Sequence, residues 1–284
     1  MIRSFDQLDF PVERLLEHKR SGISVVLPAR EVADTIEPIV ERILALDGLV
    51  DQVLVVDAAS ADGTGELAAR AGAEVCQQGE LKSEFGPVLG KGDAMWRALA
   101  AVRGDLVAYV DADTREFSAH FIPGLLGPLI CGSGTRFVKG SYRRPFSHAG
   151  VEIPQGGGRV SRLVARPLLS TFYPDLGGVD QPLAGEIAAP REVLEQVPFA
   201  TGYGVEIALL LDVRALVGAD AIEQVLLGER RNFHQPLAQL EPMANTVLAT
   251  VCERLRREGR LSAQMPADAA PERPPWRSQR PVVS

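Results

Sequence analysis

Asp111-Ala112-Asp113 closes the stretch LVAYVDADTR, which spans Leu106 to Arg115. Four apolar residues, Val107, Ala108, Tyr109 and Val110, lead straight into the two acids. An apolar run of this length bounded by polar residues reads as a strand buried on both faces. Sheets of the α/β class keep their chemistry at the carboxyl ends of such strands. Carboxylates two residues apart suit a division of labour. One reaches a divalent metal that holds a nucleotide diphosphate, and its neighbour orients a sugar or ribose hydroxyl. The alternative is a plain turn at a strand end, where aspartate is common.

Other residues could join that chemistry. Gly90-Lys91-Gly92 opens an apolar-faced helix carrying Met95, Ala98, Leu99 and Val102. Free N–H groups, a pliant backbone and one cation make an anion cradle there, or else an ordinary glycine turn with a solvated lysine. Gly156-Gly157-Gly158 precedes Arg159 and Ser161, where backbone N–H groups, a guanidinium and a hydroxyl can converge on a phosphate or carboxylate. The competing reading is a flexible loop. Glu206 opens a strongly apolar helix, as a working carboxylate or as a partner of the helix dipole. No GxxxxGK[ST] occurs, and the first buried strand runs into Pro28-Ala29-Arg30 rather than GxGxxG, so a P-loop and a dinucleotide-binding fold are excluded.

The elements that must position these residues follow from apolar periodicity. Strands are expected at Ile23–Leu27, ended by Pro28, at Val53–Val56 and at Ala73–Cys76. Between them lie a helix capped by Asp34-Thr35 and running to about Leu46, with Pro38 in its first turn, and a helix at Gly65–Ala71. This is a βαβαβ pattern with short links, the mark of a doubly wound parallel sheet. Gln78–Leu89 reads as a loop, Phe117–Ile130 as a helix broken near Pro123 and Pro128, Thr135–Arg144 as a strand, and His148–Gly158 as a loop. Helical periodicity returns at Arg159–Leu169, Arg191–Gln196, Ile207–Val217 and Leu237–Arg257. A short strand is expected within Asp180–Ala188 and a final one at Ile222–Leu227. The expected organisation is a polar lead-in over 1–22 with a short helix at Val12–Lys19, a Rossmann-like half for the nucleotide over 23–113, an acceptor half over 114–261, and a disordered proline-rich tail over 262–284.

Composition narrows the function classes. The chain has 284 residues, 46% of them hydrophobic, and a net charge of −7, with pI near 5.3. That balance argues against a nucleic-acid partner or a basic membrane-surface role, though it leaves room for anionic substrates held by local cations. Cys76, Cys131 and Cys252 are widely spaced and form no CxxC, so neither a zinc site nor a disulfide framework is expected. A reducing cytoplasm fits, and no apolar run reaches membrane-spanning length.

Taken together, GGGRVSRLVARPLL, QPLAGEIAAPREVLEQVPFATGYGVEIALLLD, DAIEQVLLGERRN and SYRRP resemble the glucosyl-3-phosphoglycerate synthases of actinobacteria. The likeness runs from about Ile23 to Leu237. The resemblance implies a GT-A-like doubly wound mixed sheet with an acceptor-binding C-terminal half. It also implies a homodimer, Mg²⁺ or Mn²⁺ as cofactor, and transfer of glucose from UDP-glucose to 3-phosphoglycerate with retention at the anomeric carbon. By that likeness Pro28, Ala29, Arg30, Glu31, Ala58 and Lys91 surround the nucleotide, while Asp111 and Ala112 contact the nucleoside. Tyr203, Gly204 and Val205 lie against the donor sugar beside Glu206, the catalytic carboxylate, and Arg230 meets the diphosphate. Gly158, Arg159, Val160 and Ser161 hold phosphoglycerate, and Asp113 binds the metal. Three positions depart from the family pattern: Val32 replaces an acid, Ala58 a serine, and Asn232 the histidine that ligates the metal. Either Asn232 offers a carbonyl oxygen to the ion or His234 reaches it; His234 is otherwise an acceptor contact. The readings to be separated are mannosyl transfer from GDP-mannose, a nucleotide-sugar pyrophosphorylase, and a metal-impaired binding protein.

Overall fold

A computed structural model describes residues 2–148, 151–153, 157–230, 236–262 and 271–279. In chain order its strands are β1 (Arg3–Asp6), β2 (Ile23–Ala29), β3 (Gln52–Asp57), β4 (Glu74–Gln77), β5 (Leu106–Tyr109), β6 (Phe137–Arg143), β7 (Phe146–His148), β8 (Val151–Ile153), β9 (Ile187–Pro190), β10 (Phe199–Ala200), β11 (Ile222–Glu229) and β12 (Glu272–Arg273). Its helices are α1 (Val12–His18), α2 (Ala33–Leu44), α3 (Thr64–Arg70), α4 (Lys91–Ala98), α5 (Phe121–Cys131), α6 (Arg166–Phe172), α7 (Arg191–Leu194), α8 (Val205–Val217) and α9 (Leu237–Arg257).

Eight strands form one sheet in the order β1-β11-β6-β9-β5-β2-β3-β4. Within it β9 runs antiparallel to both β5 and β6, and the other pairs are parallel. Successive side chains on a strand point to opposite faces. Val26, Leu54, Val56, Val107 and Tyr109 accordingly pack with α4, α6, α8 and α9 on one face. Val25, Leu27, Val53, Val55 and Ala108 pack with α2 and α5 on the other. With both faces covered, the central strands are mainly apolar, interrupted by buried polar residues such as Ser24 and Lys139.

Pro28 does not end β2, which continues to Ala29 and pairs Pro28 with Val56 and Ala29 with Asp57. The Val26 carbonyl accepts from Val110 N–H on the β5 side, and the Ala29 carbonyl accepts from Ala58 N–H on the β3 side. By that alternation the Pro28 nitrogen faces the β5 side, where it has no N–H to offer, and the β2–β5 ladder ends with the Val110 bond.

Other elements differ from their expected forms. The lead-in contains β1, the sheet's edge strand, paired in parallel with β11; four residues are too few for a readable period. The helix α2 has Val32 at its N-cap and no side-chain cap, and Pro38 lies beyond its first turn. Thr35 is buried instead, and its hydroxyl donates to the Ala112 carbonyl at 2.7 Å. The helix α5 is unbroken over Phe121–Cys131. Pro123 falls in its first turn, where no N–H is needed, and Pro128 is accommodated inside. The expected loop at His148–Gly158 carries β8, which pairs with β7 as a hairpin. A π turn, Ser161–Ala165, precedes α6. The tail is ordered where it is described: β12 pairs with β10, and Trp276 is buried.

The bond from Thr35 to Ala112 ties α2 to the Asp-Ala-Asp segment. Thr35→Val should cost about 1–3 kcal/mol by leaving a buried carbonyl unpaired; the urea midpoint against wild type measures it.

Candidate active site

Asp111, Ala112 and Asp113 leave the carboxyl end of β5, and Ala112 is held inward by Thr35. Asp111 reaches across to the opposite strand's approach. A Cβ on Gly185 would overlap its carboxylate, so only glycine admits Asp111 there. The Lys91 ammonium, on the first residue of α4, donates to Asp111 Oδ1 at 2.6 Å and to Glu206 Oε1 at 3.0 Å. Arg230, just beyond β11, donates through Nη1 to Asp111 Oδ2 at 3.1 Å and to Glu186 Oε1 at 2.7 Å. Its Nη2 meets Asp113 Oδ1 at 3.1 Å. Glu206, Lys91, Asp111, Arg230 and Glu186 thus form a chain of alternating charge.

The electrostatics follow from that alternation. Burial works against charge on Asp111, but Lys91 and Arg230 outweigh it and hold its carboxyl well below the ordinary range. Burial likewise opposes the charge on Lys91 and Arg230, and their acidic partners raise both above normal. Glu186 goes the other way: burial and then the Asp111 carboxylate push its pKa up. Lys139 is fully buried on β6, where desolvation lowers it to about 8 and its ammonium donates to the Ala184 carbonyl.

Lys91, Asp111, Asp113, Glu206 and Arg230 line a cleft of about 760 Å³, with Glu186 and Lys139 buried behind its wall. Pro28, Ala29, Arg30, Ala58, Lys91, Asp111, Ala112, Asp113, Tyr203, Glu206 and Arg230 all border it. Glu31 does not; its carboxylate accepts the Ala61 N–H at 2.8 Å. Gly204 faces Thr250 of α9, and Val205 packs against Gly92, so neither borders the cleft. Arg144 lines the same cleft, and its carbonyl accepts the Gly157 N–H at 3.0 Å. That contact seats the glycine loop on the cleft wall. A Cβ at Gly158 would lie 3.3 Å from Gln181 Oε1 and 3.6 Å from Arg144 Cδ. Arg159 follows, half-buried, while Val160 and Ser161 are buried at 7% and 4% exposure. Asn232 and His234 lie outside the described residues.

Sequence reasoning missed Glu186, Lys139 and Arg144. Arg144 had a visible signal, the paired arginines ending the SYRR strand. Glu186 and Lys139 had none, since their partners come from distant segments.

The donor set suits a hard cation. Asp111 is engaged by two cations and its side chain is 18% exposed, whereas that of Asp113 is 67% exposed at the cleft. Among the described residues no group of three or more His, Cys, Asp or Glu could enclose an ion. One carboxylate with room for phosphate oxygens and water matches an ion shared with a nucleotide diphosphate rather than a closed protein cage.

A doubly wound mixed sheet with Asp-Ala-Asp at a central strand end, flanked by a lysine and an arginine, defines a GT-A-type glycosyltransferase. Residues 24–148 match the family model "Glycosyl transferase family 2". The glucosyl-3-phosphoglycerate synthase of Mycolicibacterium smegmatis is 47% identical over 242 residues, 84% of this chain and 80% of that protein. The Mycobacterium tuberculosis enzyme of the same name is 46% identical over 84% of this chain and 76% of its own length. A crystal structure of the latter with Mn²⁺, UDP-glucose and phosphoglyceric acid superposes with TM-score 0.85 at 40% identity, covering 98% of this chain and 99% of that one. A mannosyl-3-phosphoglycerate synthase from Rubrobacter xylanophilus superposes at 0.90 with 45% identity, covering 98% and 97%. The chain belongs to the glucosyl-3-phosphoglycerate synthase family.

The depressed Asp111 pKa carries a sign. Its stabilisation is fully present above the ordinary aspartate value, roughly 4, and is lost as pH falls below it. Asp111→Asn should therefore be less stable than wild type by about 3 kcal/mol at pH 7, with the gap closing toward pH 2. Urea unfolding at both pH values measures it.

Proposed function

We propose that this chain transfers glucose from UDP-glucose to the hydroxyl of 3-phosphoglycerate with retention of anomeric configuration. The observation that carries the proposal is the alternating chain of charge along one cleft, with the exposed Asp113 carboxylate at one point and Arg144 beside the glycine loop at another. The M. tuberculosis relative crystallised with Mn²⁺, UDP-glucose and phosphoglyceric acid supports the same substrates here.

Each residue's part follows from its surroundings. Arg230, held by Glu186 and Asp111, presents a fixed guanidinium to the departing diphosphate and needs no reorganisation as charge develops. Lys91 sits between Asp111 and Glu206, where it aligns both carboxylates toward the sugar. Glu206, ion-paired at 3.0 Å, is a poor nucleophile; it orients the glucosyl ring and offsets positive charge at the anomeric carbon during same-face attack. Arg144, Arg159 and the N–H groups of the glycine loop capture the acceptor's phosphate and carboxylate. A divalent ion held by Asp113, with Asn232 or His234, would supply Lewis-acid neutralisation of the diphosphate. We assign Mg²⁺ or Mn²⁺ to that role. We also assign a homodimer, as the family resemblance implies, and the cytoplasm as compartment, in keeping with three free thiols. No helix among the described residues is long and apolar enough to cross a membrane.

Mannosyl transfer from GDP-mannose is the second reading, favoured by the Rubrobacter superposition. A donor panel with 3-phosphoglycerate separates the two. UDP-glucose should be used at least about tenfold better by kcat/KM, a margin of roughly 1.4 kcal/mol, and a preference for GDP-mannose would overturn the glucosyl assignment. In the same assay chelation or Asp113→Ala should reduce transfer at least about 100-fold. Arg159→Ala should raise KM for 3-phosphoglycerate about tenfold while leaving the donor KM within about twofold; equal changes in both would remove Arg159 from the acceptor site.

A further inference from the structure

The segment 271–279 does more than cover the sheet. It is the only described part of the chain after residue 262, and it bonds to the two segments that carry Lys91 and Glu206, at Asp93 and at Thr201. One route runs through Asp93, two residues after Lys91 and fully buried. Arg273 clamps its carboxylate with Nε at 2.7 Å from Oδ1 and Nη2 at 2.8 Å from Oδ2. The same carboxylate accepts Arg97 Nε at 3.1 Å and the Leu89 N–H at 2.9 Å, which fixes the chain two residues before the helix start. Arg97 and Arg273 in turn donate to the carbonyls of Leu81, Gly86 and Phe85. The loop they hold runs on to Val88, which lines the cleft. The second route runs through Thr201. Its N–H and hydroxyl both donate to the Pro271 carbonyl, at 3.1 and 2.7 Å, and its own carbonyl accepts the Gly92 N–H at 3.1 Å. Gly92 has no side chain because a Cβ there would overlap the Ala200 carbonyl. Thr201 then leads through Tyr203 to Glu206.

We propose that residues 271–279 form a strap that sets the Lys91–Glu206 pair, with Arg273 as a positioning residue for sugar transfer. Arg273 does not border the cleft; it acts through Asp93 on the start of α4, while Pro271 acts through Thr201 on the turn ahead of α8. The strap therefore controls turnover and donor engagement and leaves acceptor capture, on the far wall beside Arg144, untouched. This inference rests on the transfer reaction assigned above.

Both tryptophans of the chain, Trp96 and Trp276, meet at this junction with ring centroids 6.5 Å apart, so tryptophan emission reports whether the strap is seated. The test uses the full-length chain and the best donor from the panel. Arg273→Ala should lower kcat about tenfold or more, with the KM for 3-phosphoglycerate within about twofold of wild type and emission shifted to the red. Arg273→Lys, which keeps the charge but not the fork, should recover part of the loss. A variant whose emission shows the strap displaced while kcat stays within about twofold would overturn the proposal, as would an acceptor KM that rises as much as kcat falls. If Arg273→Ala does not fold, Thr201→Val decides, because it removes one hydroxyl bond to the strap; unchanged kcat there overturns the proposal, and a severalfold fall with unchanged acceptor KM supports it. Wild type that transfers from no donor in the panel would instead refute the assigned reaction.

Discussion

Everything at the cleft depends on gathering four carboxylates, three of them largely withdrawn from water, without letting them repel one another. Glu186, Asp111, Asp113 and Glu206 converge from three segments of an acidic chain, and only interleaved cations make that arrangement stable. Lys91 and Arg230 supply the interleaving, each bridging acids on either side. Removing one partner from such a buried set strands the next charge, so the members behave as a unit. The benefit is preorganisation: donors and carboxylates stand in working positions before substrate arrives.

The sheet's one reversal makes this possible. β9 runs antiparallel between β5 and β6, so the chain entering it passes the end of β5. Gly185 and Glu186 are thereby delivered against Asp111, which no parallel strand, entering from the opposite end, would do. α4 and α8 both begin at the same edge of the sheet, and their first turns carry Lys91 and Glu206 to a common point.

How much of this was legible in the sequence follows from distance along the chain. Asp111, Asp113, Lys91 and Glu206 each sit where a local pattern changes, a strand ending or a helix beginning, and short-range physics marks such places. Glu186 carries no local mark, because its role is created by Arg230, 44 residues away. The edge strand Arg3–Asp6 and the two-residue strand Glu272–Arg273 are shorter than any readable alternation. The tail's composition, PERPPWRSQ, averages to that of a disordered segment, yet Arg273, the Pro271 carbonyl and the buried Trp276 help to anchor it. Pro128 misled in the same manner: proline weakens an isolated helix, but packing against the sheet offsets one missing bond.

Pro28 has a consequence for ligand chemistry. Pro28 lines the crevice and has no N–H to offer a ligand. Proline presents carbon instead. An inhibitor shaped for this crevice would gain nothing from an acceptor atom at that spot and would do better with a flat hydrocarbon surface, while its polar atoms belong at the Asp111 edge.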